Sequence, residues 1–279
     1  MSSPTGSTAV YGVAGDPVAH SLSPRLHNAA FRALGRDAVS IALRAGAPDA
    51  AVVVDAVRRL GVRGLSVTMP LKAAVVEHCD ERAELVDLLG AANCLVRTDA
   101  GAVRAESTDG DGLLAAIACV TGRDARGRRC LVLGAGGAAR SAVVALAADG
   151  ASEIVVLARR AEQARRLASL VAVGREGATR DLDLDSVDVV VQATPVGMLG
   201  TAEEQATPLV DPTSLHAGQV AVDLVYHPRV TPWLARAASS GASPVGGVEV
   251  LVHQAALAIS LWLAEPVPLG VLHDAAVAP

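Results

Sequence analysis

A single lysine, Lys72, stands among 24 lysine and arginine residues, in the stretch Ser66-Val67-Thr68-Met69-Pro70-Leu71-Lys72. Arginine serves wherever only a solvated positive charge is wanted, but its guanidinium scarcely ever gives up a proton near neutral pH. A position that must exchange a proton keeps lysine, which makes Lys72 a candidate acid/base group.

Near the N-terminus, His20-Ser21-Leu22-Ser23-Pro24 places a serine before a proline that opens a helix. Ser23 is expected to be the N-cap and Pro24 the first helical residue. The unpaired amides and dipole of such a helix end favour a carboxylate, and the Ser21 and Ser23 hydroxyls add donors without adding charge. His20 and His27 flank this segment with no companion ligands at metal-binding spacing, so they are expected to shape the loop and helix.

A third cluster, Gly134-Ala135-Gly136-Gly137-Ala138, lies between an apolar strand (130–133) and an alanine-rich helix running to Ala148, with a second strand at 154–157. Small residues there let backbone amides approach a pyrophosphate at the positive end of a helix. The second strand ends in Leu157-Ala158-Arg159-Arg160, two guanidinium groups and no acid, which favours the 2′-phosphate of NADP over the free ribose hydroxyls of NAD.

The elements that must hold these groups alternate along the whole chain. Strands are expected at 10–13, 39–43 and 65–67, with helices from Pro24 and Ala47, and further strands follow the glycine loop at 187–191 and 220–224. The fold class is therefore α/β with two α/β domains: an N-terminal substrate domain (1–111, completed by 247–279) and a Rossmann-type dinucleotide-binding domain (112–246) on a parallel sheet. The apolar helix at about 248–263 is expected to return to the first domain.

Hydrophobic residues make up 51% of the chain and charged ones 19%, enough for a packed core. A net charge of −5 with 2% aromatic residues argues against a nucleic-acid surface. No apolar run approaches the roughly 20 residues that cross a bilayer, so no membrane partner is expected. Residues 1–8 lack the basic and apolar parts of a secretory signal, and a cytoplasmic location is expected. Cys79, Cys94, Cys119 and Cys130 are far apart and fit reduced, mostly buried thiols.

Taken in order, His20 to Pro24, Ser66 to Lys72, Gly90-Ala91-Ala92-Asn93, Ser107-Thr108-Asp109-Gly110, the glycine loop, Ala193-Thr194-Pro195-Val196-Gly197-Met198, Asp223-Leu224-Val225-Tyr226 and Gln254-Ala255-Ala256 resemble the shikimate dehydrogenase family over nearly the whole chain. The resemblance implies NADP-linked reduction of 3-dehydroshikimate to shikimate, a step towards aromatic amino acids. It implies that Ser21 and Ser23 hold the substrate carboxylate, that Thr68, Lys72, Asn93 and Asp109 surround the ring hydroxyls, and that Tyr226 and Gln254 close the pocket. Gly134, Ala135, Gly136, Gly137, Ala138, Arg159, Arg160, Thr194, Leu224 and Gly247 would line the cofactor. Lys72 and Asp109 would act as a coupled dyad that orients the hydroxyl and handles its proton. Asparagine and tyrosine each occur only twice, and Asn93 and Tyr226 fall at substrate positions.

The chain departs from the family pattern at Ser66 and Ser107, where asparagine is typical, and at Cys94, where threonine is usual. Further departures are Ala158-Arg159-Arg160 for Asn-Arg-Thr, Gln163 for a second phosphate-binding arginine, and Gln192 for asparagine. The first three flank the expected substrate pocket, so quinate or an amino-shikimate, with NAD or NADP, is the alternative substrate class. A catalytically silent dinucleotide-binding protein is the alternative of another kind, which the presence of Lys72 and Asp109 opposes. The partner is expected to be a cyclic polyol carboxylate, and the molecule a monomer or homodimer.

Overall fold

The computed structural model describes residues 3–278. The chain divides into two compact units at Thr108/Asp109 and His253/Gln254, where the sequence reading puts the boundaries at 111 and 247. The described residues up to Thr108 and from Gln254 onward form the first unit, and Asp109–His253 the second.

The first unit carries strands β1 (Ala9–Gly15), β2 (Ala38–Arg44), β3 (Val62–Val67), β4 (Glu81–Arg82), β5 (Cys94–Arg97) and β6 (Val103–Glu106) in one sheet of order β2-β1-β3-β5-β6-β4. Between them run helices α1 (Ser23–Ala33), α2 (Ala50–Arg59), α3 (Leu71–Ala74) and α4 (Glu84–Leu89). The expected strands at 10–13, 39–43 and 65–67 become β1, β2 and β3, and β1 pairs in parallel with both neighbours. The sheet is mixed, because β5 pairs antiparallel with β3 and with β6. Alternate side chains serve opposite faces. Leu65, Val67, Leu95, Val103 and Ala105 pack with Val53, Val54 and Val57 of α2 on one side, whereas Cys94 and Val96 meet Ala258 and Trp262 on the other. A Cβ at Gly64 would lie 2.4 Å from the Trp262 ring, so only glycine lets the indole rest on β3. The Trp262 Nε1 donates to the Leu95 carbonyl at 3.1 Å.

The second unit holds α5 (Asp109–Thr121), β7 (Arg129–Leu133), α6 (Gly137–Ala148), β8 (Glu153–Leu157), α7 (Ala161–Ala168), β9 (Gly174–Glu176), β10 (Val189–Gln192), β11 (Val220–Asp223), α8 (Pro232–Ser239) and β12 (Ser243–Val245). Its sheet has the order β12-β11-β10-β7-β8-β9 with every pair parallel. Strand order reverses between β7 and β10, and such a switch point opens a crevice at the carboxyl ends of the strands, where dinucleotides bind. The strands are apolar on both faces: Val132, Ile154 and Val191 pack against α5, α6 and α7, while Leu131, Val155 and Val190 pack against Trp233 and Leu234 of α8. The Trp233 indole donates to the Val210 carbonyl at 3.2 Å.

The long helix α9 (Gly247–Leu263) begins in the second unit, and its residues from Gln254 belong to the first; α10 (Leu269–Val277) follows and packs against α1. The C-terminal helix thus returns to the first domain, as the apolar run implied.

Candidate active site

Lys72 lies half-buried on α3, in the turn that leaves β3. That turn is closed by the Leu71 amide on the Thr68 carbonyl (2.9 Å), and Thr68 is tied to β1 through the Ala14 carbonyl (2.9 Å). The Lys72 carbonyl accepts from the Ala92 amide at 2.8 Å, which brings the approach to Asn93 against the lysine's own turn.

Asn93 organises a buried polar set. Its Oδ1 accepts from the Thr108 amide (2.7 Å), and its Nδ2 donates to Thr108 Oγ1 (2.9 Å) and to Gln254 Oε1 (3.0 Å). The Thr108 hydroxyl also donates to the Gln254 carbonyl at 3.1 Å. Both amide hydrogens of Asn93 are thereby engaged within the protein, so it holds the Thr108 end of β6 and the Gln254 turn of α9 at fixed distances. Satisfied buried networks of this kind give one defined geometry.

Ser21 and Ser23 sit at the start of α1, with Ser21 Oγ accepting from the Ser23 amide at 3.3 Å. The expected cap is corrected here: the helix begins at Ser23 itself, the N-cap position is Leu22, and no side chain caps it. The Ser21 hydroxyl takes the amide instead, because Leu22 has no acceptor to offer and Ser23 already has helical backbone. His27, further along α1, is fully buried; its Nδ1 lies 2.8 Å from Ser40 Oγ, its Nε2 3.5 Å from Ser66 Oγ, and its ring stands perpendicular to that of Trp262 with centroids 4.9 Å apart. Burial lowers its pKa to about 3, so the ring is neutral. The Cys94 side chain is likewise core, packed with Val96, Ala258 and Trp262 rather than flanking a pocket.

In the second unit the cofactor-side candidates cluster at the switch point. Gly134 follows β7 at φ +115°, where a Cβ would lie 3.1 Å from the Ala193 carbonyl oxygen and 3.2 Å from Thr194 Cγ2. Only glycine lets the two strand ends come so close. At Gly136 and Gly137, which precede Ala138 and open α6, none of the described residues lies within 4 Å of where a Cβ would be. The space over these amides is open, as a phosphate cradle at a helix N-terminus requires. Thr194 donates its amide (3.1 Å) and hydroxyl (2.7 Å) to Gln192 Oε1, and the buried Gln192 Nε2 has no partner among the described residues. An orphaned donor at the carboxyl end of β10 fits an acceptor brought by a ligand. Gly247 opens α9 against the loop after β11, its missing Cβ replaced by the Val225 and Leu224 carbonyl oxygens at 2.5 and 2.8 Å. Arg159 and Arg160 follow β8 and are exposed; Arg159 pairs with Glu203 at 3.5 Å. Together these features fit NADP.

Asp109 opens α5, and Tyr226 lies in the loop after β11, where burial raises its phenol pKa and keeps it protonated. One residue given no role by the sequence reading holds that loop. Asp223 is fully buried at the end of β11, accepts the Val225 amide at 3.0 Å, and takes the Thr231 hydroxyl. Burial pushes its pKa up to about 6 despite those two bonds. A lone acid closing the apolar run Val220-Ala221-Val222 was the available signal.

A two-unit α/β chain with a dinucleotide crevice at a switch point and a lone lysine beside a buried amide network defines a nicotinamide-linked oxidoreductase. Family models carry this further: the shikimate dehydrogenase substrate-binding domain matches residues 13–95, and the shikimate/quinate 5-dehydrogenase model matches residues 117–236. The shikimate dehydrogenase (NADP+) of Methanopyrus kandleri is 42% identical over 277 residues, covering 96% of this chain and 94% of that protein. The corresponding protein of Methanothermobacter thermautotrophicus is 40% identical, covering 97% and 96%. A crystal structure of a shikimate dehydrogenase in complex with NADP+ superposes with a TM-score of 0.91 at 32% identity, over 98% of this chain and 96% of that one. The chain belongs to the NADP-dependent shikimate dehydrogenase family.

Proposed function

We propose that this protein interconverts 3-dehydroshikimate and shikimate with NADP, using Lys72 and Asp109 as the groups that handle the hydroxyl proton. The observation that carries this reading is the set joining Lys72 and Asn93 through Ala92, and Asn93 to Thr108 and Gln254. It ties the backbone of the chain's single lysine to a buried, satisfied amide network in one unit, which supports a role for both towards an alcohol on a polyhydroxylated ring.

Bound NADP supplies the nicotinamide that exchanges hydride with the carbinol carbon. The residues of this chain do the rest. Ser21 and Ser23 donate their hydroxyls to the ring carboxylate, beside the amides of α1. Thr68 and Asp109 take up ring hydroxyls, Asn93 accepts one more on the remaining lone pair of its Oδ1, and Tyr226 and Gln254 add a phenol and an amide. As the carbinol C–H bond breaks during oxidation, the hydroxyl proton passes to the Lys72/Asp109 pair; in reduction it returns to the new alkoxide oxygen. Gly134 to Ala138, Thr194, Leu224 and Gly247 hold the dinucleotide, and Arg159 and Arg160 meet its 2′-phosphate.

The test follows NADPH formation from shikimate and NADP by absorbance, with quinate and NAD run in parallel. Turnover with shikimate and NADP, reduced at least about 100-fold in kcat by Lys72→Ala while the circular dichroism is unchanged, is the expected result. Preference for quinate would move the substrate assignment. Unimpaired turnover in Lys72→Ala would remove the lysine from the chemistry.

A further inference from the structure

The strand β8 ends without an acidic residue, yet one reaches the same guanidinium from another segment. Glu203, in the connection between β10 and β11, lies 3.5 Å from Arg159, and its side chain is only 28% exposed. Its backbone is held in place: the Glu203 carbonyl accepts from the Gly197 amide at 3.0 Å, and the Glu203 amide donates to Thr201 Oγ1 at 3.3 Å. The backbone is thus anchored and places the carboxylate within ion-pair distance of a residue that should meet an anionic 2′-phosphate.

We infer that Glu203 tempers the NADP selectivity of this protein, competing with the 2′-phosphate of NADP for Arg159. The proposal rests on the reading that Arg159 receives that phosphate. A phosphate with close to two negative charges must either displace Glu203 from the guanidinium or sit beside it, and both weaken binding. NAD carries a neutral hydroxyl at that carbon. It leaves the Arg159–Glu203 pair intact and can donate its hydroxyl to the Glu203 carboxylate, the acceptor role that an acid on the second strand usually fills. Arg159 is mostly exposed, so the competition is that of a solvated ion pair, about two- to fivefold in affinity. The chain thus discriminates less sharply between the two dinucleotides than its two arginines alone would make it.

Calorimetric titration of the full chain with NADP+ and with NAD+ tests this without reliance on turnover. Glu203→Gln keeps the shape and removes the charge. It should lower the NADP+ Kd about two- to fivefold and leave the NAD+ Kd unchanged or raised. An unchanged NADP+ Kd, or equal tightening of both cofactors, overturns the proposal. Arg159→Gln separates the two ideas. If it weakens NADP+ and not NAD+ while Glu203→Gln does nothing, the phosphate reading stands and the role of Glu203 falls. If Arg159→Gln leaves NADP+ binding unchanged, both fall.

Discussion

A methyl group added at Gly247 would lie 2.5 Å from the Val225 carbonyl oxygen, a backbone atom that cannot swing aside. Gly247→Ala should therefore cost about 1–3 kcal/mol of stability and weaken NADP+ binding, since the loop it displaces carries Leu224. Thermal unfolding and calorimetric titration check both; an unchanged melting temperature would mean that the loop yields freely. Asn93 is the opposite case, a residue that matters through what it satisfies. Asn93→Ala leaves the buried Thr108 amide without its acceptor and should cost about 2–3 kcal/mol in urea denaturation. At this scale the sequence was informative wherever chemistry demands a rare type, as with Lys72, Asn93 and the glycines. It was silent on Glu203, because nothing local says that a residue 44 positions beyond Arg159 folds back onto it. It misplaced the cap at Ser23 because a serine before proline reads the same whether its backbone is helical or not.

The connection from β11 to α8 is held at both ends by one pair of side chains. Thr231 is the N-cap of α8, accepting the Leu234 amide at 3.1 Å, and its hydroxyl is donated to Asp223. Thr231→Ala should cost about 1–2 kcal/mol, whereas Thr231→Ser, which keeps the hydroxyl, should be close to neutral. Equal losses in the two variants, read from denaturant midpoints, would point to the methyl group and not the bond. In this unit β7, β8, β10 and β11 were legible because each is an apolar run, whereas β9 (Gly-Arg-Glu) and β12 (Ser-Pro-Val) are short, lack such a run and escaped notice. In the first unit, β5 and β6 escaped notice: Cys94-Leu95-Val96-Arg97 and Val103-Arg104-Ala105-Glu106 are short, and their antiparallel pairing is set by partners distant in sequence. Strand pairing of this kind is a tertiary property more than a local one.

Each unit carries one buried group whose protonation opposes the other's. His27, in the first unit, has a pKa depressed from 6.5 to about 3. Its stabilising contribution is complete above pH 6.5 and is lost as the pH falls towards 3, because the unfolded chain takes up the proton first; at pH 4 the loss is on the order of 3 kcal/mol. Asp223, in the second unit, has a pKa raised from 3.8 to about 6. Its contribution is complete below 3.8 and is lost as the pH rises through 6. Through these two groups, acidification from pH 7 to pH 4 should weaken the first unit and strengthen the second, with the low-pKa carboxylates Glu153 and Asp211 opposing the gain in the second. In His27→Gln the acid sensitivity of the first unit should flatten; an unaltered slope would assign it to other groups. The chain has two tryptophans, Trp262 in the first unit and Trp233 in the second, each with its indole nitrogen bonded to a backbone carbonyl. Nature has in effect labelled each half with its own fluorophore. Replacing either by phenylalanine leaves a single emitter, whose spectral shift to the red reports the melting of one unit while the other stays dark.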